Sequence, residues 1–218
     1  MRIMLIRHGE TDHNLENRMS GWTEATLSER GVEQARALGG RLRETPVSRV
    51  ITSGMKRANE TAELVFPSHA AQEKIDIMED LKEMHFGAME GLTMDEVKER
   101  YPEDFAMLIE MKGRYTFPQG ESLYTFHRRI QKAGAALLKV KEEKAVAVVA
   151  HSGTIRSLLA GWIARDWRAH WRFQIDHCSL TLVTLYDGFP VLGTCNDITH
   201  LGDPLFPMNE NEPSRAAD

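Results

Sequence analysis

The stretch LIRHGET, residues 5–11, ends an unbroken apolar run with a strongly basic side chain and a titratable one. The run begins at Ile3, is too short for a helix and contains no polar residue, so it predicts a strand buried on both faces of a sheet. A charge that is buried without a partner is costly. Arg7 and His8 therefore need a partner, which either the rest of the chain or a ligand has to provide.

A second segment has the same design. Residues 148–154, VVAHSGT, again run from an apolar strand through a histidine and small residues to a threonine. In α/β proteins, ligands collect beyond the carboxyl ends of the strands, so we expect His8 and His151 to meet there. The small residues Ser152 and Gly153 let the backbone approach a ligand and expose amides to an anion.

A third segment adds another cation. Arg57 follows the apolar run at 47–52 and falls in the first turn of a predicted helix, where anions are attracted and a guanidinium offers a two-pronged hydrogen bond to phosphate. Two arginines and two histidines around one point form a pocket for a phosphoryl group. The residues alone leave two alternatives open: Arg7 pairs with a buried carboxylate, or His8 is an ordinary histidine at a strand end.

Apolar runs rich in β-branched residues alternate with helical patterns, which predicts an α/β fold. We expect a single domain over residues 1–202, a three-layer α/β/α sandwich around a mostly parallel, mixed six-stranded sheet. The sheet is mixed because Asp187-Gly188 marks a hairpin turn. The predicted strands cover 2–7, 47–52, 75–78, 145–150, 180–186 and 190–195. The predicted helix signals are the N-caps Ser28 and Ser53, a Thr93/Glu96 capping box, and apolar spacing over 122–140 and 154–165.

Composition limits the functional classes. The chain has 218 residues and a formal net charge of −5, which argues against a nucleic-acid partner. No stretch reaches membrane-spanning length and no secretory leader is visible, so we expect a cytoplasmic protein without a membrane partner. Cys178 and Cys195 have neither metal-binding nor redox spacing, which favours a role as small hydrophobic side chains. The polar, proline-containing segment 203–218 is expected to be a surface tail.

Five segments taken together resemble one known family. These segments are RHGETDHN at 7–14, SGW at 20–22, TSGMKRANETA at 52–62, LKEMHFGAMEG at 81–91 and VVAHSGTIR at 148–156. In this order they are similar to motifs of the histidine phosphatase (phosphoglycerate mutase-like) superfamily, and the resemblance runs from residue 2 to about 200. It implies an enzyme that works through a phosphohistidine and needs no metal or other cofactor.

The resemblance also implies roles for residues of this sequence. The implied nucleophile is His8, the proton donor is Glu83, and the groups that hold the phosphoryl group are Arg7, Arg57 and His151. The positions that match the substrate pocket are Asn14, Ser20 and Gly21, to which we add Ser152. Fixed cations suit phosphoryl transfer because charge is spread over the equatorial oxygens in the transition state. Six further histidines are expected to be structural or exposed: His13, His85, His127, His170, His177 and His200.

Sequence details favour the phosphatase branch of this family. The segment between Glu83 and the helix at 122 leaves no room for the longer insertion that the mutases carry. The patterns at 86–91 and 118–128, and NDITHL at 196–201, resemble phosphatases, especially α-ribazole phosphatases. Met89 replaces a tryptophan that is frequent in those proteins, so we expect a broader phosphomonoesterase. It would act on a small-molecule phosphate ester, release inorganic phosphate and form a homodimer.

Other readings compete with this one. The closest alternative is a cofactor-dependent phosphoglycerate mutase, and a more distant one is a non-catalytic module that binds a phosphorylated ligand. A serine hydrolase would use Ser152, Asp187 and His200, but it leaves the two arginines unexplained. A metal hydrolase would use His8, Asp12, His13 and His151, which lack a recognisable ligand spacing.

Overall fold

The computed structural model describes residues 1–72, 74–110 and 115–202, so the predicted tail at 203–218 lies outside the described residues. The strands are β1 (Arg2–Arg7), β2 (Val47–Thr52), β3 (Ile75–Ile77), β4 (Ala145–Ala150), β5 (Leu180–Tyr186) and β6 (Phe189–Asp197). The α-helices are α1 (Asp12–Leu15), α2 (Glu29–Leu42), α3 (Lys56–Val65), α4 (Pro67–Ala70), α5 (Met94–Arg100), α6 (Pro102–Ile109), α7 (Leu123–Leu137) and α8 (Ser152–Leu159).

The six strands form one sheet in the order β3-β2-β4-β1-β5-β6. Strands β3, β2, β4 and β1 pair in parallel, whereas β5 and β6 are antiparallel additions at one side. The predicted mixed sheet is therefore confirmed, and so is the hairpin between β5 and β6. Parallel central strands are expected to be buried on both faces, as the apolar run of β4 is.

Alternating side chains of β1 connect the sheet to two apolar layers. Ile3 and Leu5 pack in one cluster with residues of α7 and α8, while Met4 and Ile6 pack in the other with residues of α2 and α3. All four side chains are buried, which contributes about 1.5–3 kcal/mol each. Helices thus cover both faces, and the three-layer α/β/α sandwich is confirmed.

Some predicted helix boundaries differ from the structure. Ser53 does not cap a helix, because α3 begins at Lys56 after Met55, which makes no side-chain cap. The helix predicted at 154–165 begins earlier, at Ser152, and its last turn, Ala160–Ala164, is a π-helix. The helix predicted over 122–140 covers Leu123–Leu137 and is capped by Ser122. Within the described ranges, no helix has both the length and the apolar character to cross a bilayer.

Candidate active site

Two neighbouring parallel strands bring His8 and His151 together. Arg7 at the end of β1 pairs with Ala150 at the end of β4, and the amide of His8 donates to the carbonyl of Ala150. The two imidazole centroids lie 5.2 Å apart, and both side chains are buried. The predicted meeting of the two histidines at the carboxyl edge of the sheet is therefore observed.

The hydrogen bond of His8 fixes its tautomer. Its Nδ1 atom lies 2.7 Å from the carbonyl oxygen of Gly9, and because a carbonyl only accepts, Nδ1 carries the hydrogen. The Nε2 atom of the neutral ring then holds the lone pair. Burial, followed by the charges of Arg57, His151 and Arg7, lowers the pKa of His8 well below 6.5. The ring is neutral at pH 7 and able to act as a nucleophile.

The partner of His151 is Ser53, which the sequence had suggested only as a helix cap. The Ser53 hydroxyl accepts from the amide of Met55 and lies 2.8 Å from Nε2 of His151, and the direction of this hydrogen bond depends on the His151 tautomer. Nδ1 of His151 is buried and has no partner among the described residues. Burial, and then the charges of Arg57 and Arg7, lower the pKa of His151 well below 6.5.

Arg57 is fully buried and contacts carbonyl groups. Its two terminal nitrogens donate to the carbonyls of Ser20, Gly21 and Thr23, while its Nε atom is buried and unpartnered among the residues described. Burial lowers the pKa of Arg57, and the charge of Glu83 opposes this most. The predicted pocket residues Ser20 and Gly21 thus contribute their backbone oxygens, which orient the guanidinium.

A carboxylate holds the loop that orients Arg57. Glu90 accepts hydrogen bonds from the amides of Gly21, Trp22, Thr23 and Phe86, and from the hydroxyl of Thr23. Gly21 itself has no room for a side chain, because a Cβ atom would lie 2.2 Å from the carbonyl oxygen of Met84. Glu90 therefore has a structural role, because it fixes the loop whose carbonyls orient Arg57.

Arg7 does not pair with a carboxylate within the described residues. Its guanidinium donates to the carbonyl of Ile175 at 2.8 Å and to Nε2 of His177 at 2.6 Å, and its buried Nε atom is unpartnered there. Burial, followed by the charge of Arg156, lowers its pKa to about 10, so it stays cationic. The alternative of a carboxylate partner for Arg7 is therefore wrong for these residues.

His177 is a residue of the site that the sequence reasoning missed. Its ring lies 5.8 Å from the ring of His8, and its Nε2 atom contacts both Arg7 and Oδ1 of Asn14, the latter at 3.0 Å. Burial and the charge of Arg7 lower its pKa to about 2. Because β5 runs antiparallel to β1, its amino end lies beside the carboxyl end of β1, and His177 precedes that end. The predicted hairpin related β5 only to β6 and so did not reveal this.

Glu83 lies next to α8 and is held by backbone amides. One carboxylate oxygen accepts from the amide of Met84 at 2.9 Å, and the other accepts from the amide of Gly153 at 2.8 Å. A Cβ atom at Gly153 would lie 2.3 Å from the first oxygen, so the close approach requires glycine. Ser152, the first residue of α8, directly precedes this contact.

The loop that carries Glu83 is attached to one arginine. Arg129 of α7 donates to the carbonyls of Asp80, Lys82 and Glu83, and it forms an ion pair with Glu121 at 2.6 Å. Glu121 also accepts from the amide of His85, further along the same loop. The sequence analysis did not select Arg129, which follows directly after the pattern at 118–128.

The side chains of the alternative serine-hydrolase and metal-hydrolase sites do not come together among the described residues. His200 contacts Arg41 rather than Ser152, so the proposed serine triad is absent from the described residues. His13 contacts the hydroxyl of Ser20 at 3.0 Å. Across residues 1–72, 74–110 and 115–202, no group of three or more histidine, cysteine or acidic side chains could hold a metal ion.

Comparison with known proteins identifies the family. A model of the histidine phosphatase superfamily (branch 1) matches residues 3–198. The chain belongs to this superfamily. It is accordingly an enzyme of the phosphatase type, a class whose members hydrolyse phosphate esters.

The names of individual relatives indicate different substrates. The metal-independent phosphoserine phosphatase of Arabidopsis thaliana is 32% identical over 207 residues, covering 94% of this chain and 84% of that protein. The α-ribazole phosphatase structure from Shigella flexneri matches with a TM-score of 0.84 at 28% identity, covering 91% of this chain and 97% of that one. A phosphoglycerate mutase structure from Bacillus anthracis matches with a TM-score of 0.77 at 25% identity, covering 93% and 95%.

Proposed function

We propose that this enzyme hydrolyses small-molecule phosphate monoesters in two steps, through a phosphohistidine on His8, and releases inorganic phosphate. One observation carries the proposal. Three buried nitrogens close to His8 have no partner among the described residues: Nε of Arg7, Nε of Arg57 and Nδ1 of His151. In the proposed state of the enzyme, Nδ1 of His151 carries the ring hydrogen, so that all three are donors. A buried unsatisfied donor costs about 1–3 kcal/mol, and the oxygens of one phosphoryl group would satisfy all three.

The first step uses the lone pair on Nε2 of His8. This atom attacks phosphorus, an N–P bond forms, and the bond from phosphorus to the ester oxygen breaks. Glu83, in its protonated form, gives its proton to the departing alkoxide. The two arginines and His151 stabilise the oxygens of the phosphoryl group, where the negative charge is spread in the transition state.

The second step reverses the proton transfer. The Glu83 carboxylate takes a proton from a water molecule, whose oxygen attacks phosphorus while the N–P bond breaks. Inorganic phosphate leaves, and His8 returns to its neutral form because the N–P electron pair stays on Nε2. Asn14 and Ser152 complete the substrate pocket in this proposal. Neither step needs a metal ion or another cofactor.

The proposed natural substrate is a small phosphate ester. The names of the relatives suggest α-ribazole phosphate and phosphoserine as candidates, and phosphoglycerate is the candidate of the mutase alternative. The homodimer and the cytoplasmic location stay predictions from the sequence.

The test compares a substrate that needs leaving-group protonation with one that does not. We expect His8→Ala to abolish turnover of both an alkyl phosphate and p-nitrophenyl phosphate, because no nearby group replaces Nε2. Glu83→Gln should lower kcat for the alkyl phosphate by about 10²–10⁴-fold and affect p-nitrophenyl phosphate much less, since p-nitrophenolate is a stable anion. Quenching the wild-type enzyme during turnover should trap acid-labile phosphate on His8.

Several results would contradict this proposal. Equal losses on both substrates in Glu83→Gln would remove Glu83 as the proton donor. If quenching trapped no phosphate on His8, the two-step mechanism would be contradicted. With 3-phosphoglycerate, formation of 2-phosphoglycerate instead of inorganic phosphate would support the mutase. Stoichiometric binding without turnover would support the non-catalytic module.

A further inference from the structure

A third arginine lies beside the proposed phosphoryl pocket without a role in it. Arg156 belongs to α8, three residues after Gly153, whose amide holds the Glu83 carboxylate. Residues three apart on a helix share a face, so Arg156 is on the side of α8 that carries Glu83. The side chain of Arg156 is half-buried, whereas Arg172, which lies between Trp171 and Phe173 in the chain, is exposed.

The surroundings of Arg156 orient its guanidinium but do not neutralise it. Its Nε atom donates to the carbonyl of Phe173 at 2.9 Å, and the group lies over the ring of Trp171 at 5.6 Å. Its two terminal nitrogens have no hydrogen-bond partner within the part of the chain that the structure describes. They are also not among the fully buried polar atoms without a partner, so a ligand can reach them. The cation is therefore held in place with its two donor groups free.

Arg156 lies within electrostatic reach of Arg7 and Glu83. It lowers the pKa of Arg7, and the charges of Glu83 and Asp176 in turn oppose the lowering of its own pKa by burial. Asp176 is hydrogen-bonded to Asn196 and Gln174. One phosphoryl group engages Arg7 and Arg57, so a third guanidinium is surplus to phosphoryl binding, although burying it is costly.

We propose that Arg156 binds a carboxylate on the leaving group of the substrate, so that the site prefers phosphate esters of hydroxy acids over esters of neutral alcohols. This inference rests on the proposed function, because Glu83 marks the side of the pocket on which the leaving alcohol departs. A guanidinium matches a carboxylate through two parallel hydrogen bonds. The free donor groups of Arg156, on the same side as Glu83, meet this requirement.

The test uses two substrates that differ only in the carboxylate. In 3-phosphoglycerate, a carboxylate stands where glycerol 3-phosphate has a hydroxymethyl group. We expect wild-type kcat/KM to be at least about tenfold higher for 3-phosphoglycerate, because a charge-assisted pair contributes more than a neutral contact. Arg156→Gln should remove this preference, mainly by raising KM for 3-phosphoglycerate, and leave glycerol 3-phosphate and p-nitrophenyl phosphate within about threefold.

The controls separate this inference from the proposed function. Arg172→Gln removes an exposed charge near Trp171 and should keep the wild-type preference. Arg156→Lys keeps the positive charge but lacks the paired donors, and it should retain part of the preference for 3-phosphoglycerate. A wild-type ratio below about two would overturn the carboxylate site whatever the variants do. So would equal losses on all substrates in Arg156→Gln. In both cases, wild-type turnover of p-nitrophenyl phosphate would still support the proposed phosphatase activity. If the wild-type enzyme did not hydrolyse p-nitrophenyl phosphate, the phosphatase activity itself would be contradicted.

Discussion

The Nδ1 atom of His8 donates to the carbonyl oxygen of its own neighbour, Gly9, over 2.7 Å. The glycine is itself held from the other side, because its amide donates to the hydroxyl of Thr61 on α3 at 3.0 Å. The proposed nucleophile is therefore oriented by the backbone of the loop that follows it rather than by a carboxylate. Its lone pair is on the other ring nitrogen, Nε2.

The first prediction concerns the protonation state of His8. In the phosphate-free enzyme, nitrogen NMR should show a neutral Nδ1–H tautomer for His8 at pH 5.5, because burial and the charge of Arg57 hold its pKa well below 6.5. The same enzyme unfolded in urea serves as the control, in which the histidines should titrate near about 6.5. A protonated His8 at pH 5.5 would contradict the assigned environment.

The second prediction concerns the position of the Glu83 carboxylate, which a substitution at Gly153 should shift. Gly153→Ala places a methyl group 2.3 Å from a Glu83 carboxylate oxygen, the end of a side chain that can shift. We expect the protein to fold, and kcat for an alkyl phosphate to fall by about 10²-fold, since a displacement near 1 Å is that costly. Turnover of p-nitrophenyl phosphate should fall much less.

The matched control for this change is Gly40→Ala. Gly40 lies on α2, and a Cβ atom there meets no atom within 4 Å. This variant should keep full activity and gain up to about 1 kcal/mol in unfolding free energy, the difference between alanine and glycine in a helix. Wild-type activity in Gly153→Ala would show that the Glu83 contact does not matter for catalysis.

The third prediction concerns the arginine that holds the Glu83 loop. Arg129→Lys should lower kcat for an alkyl phosphate by about 10–10²-fold, because a lysine cannot span the carbonyls of Asp80, Lys82 and Glu83. Combined with Glu83→Gln, it should cost little more than Glu83→Gln alone, because both act through one proton transfer. Arg128→Lys, one residue away, is the control and should change little. Additive losses in the double variant would refute the positioning role.

The fourth prediction concerns stability in acid. Burial, followed by the charge of Arg156, lowers the pKa of His170 to about 3. The unfolded chain takes up a proton at this residue below about pH 6.5, whereas the folded chain does not, so the stability contributed by the neutral ring is present at pH 7 and lost as the pH falls. Between pH 7 and pH 5, this linkage costs about 2 kcal/mol.

His170→Leu removes the titrating group and should therefore lose about 2 kcal/mol less than the wild type over this interval, measured by urea unfolding at both pH values. The comparison cancels the acid titration of the carboxylates, which both proteins share. Parallel losses in the two proteins would mean that the folded His170 accepts a proton in this range.

The sequence predicted those features that local patterns determine. Apolar runs located the strands, and the common design of the segments around His8 and His151 predicted that the two rings meet. Ser53 was misassigned, because a serine before a helix suits a cap equally well, and only the pairing of β2 with β4 brings its hydroxyl to His151. His177 and Arg129 were missed because their partners lie 170 and 46–49 residues away along the chain.

The position of β4 in the sheet has a consequence for how the enzyme is made. This strand lies between β2 and β1, yet it follows both in the chain by more than ninety residues, since β2 ends at Thr52 and β4 begins at Ala145. A ribosome-bound chain that stops before residue 145 has the two flanking strands without the one that joins them. Phosphate affinity should therefore arise late in synthesis, and it can report when the nascent chain has completed its sheet.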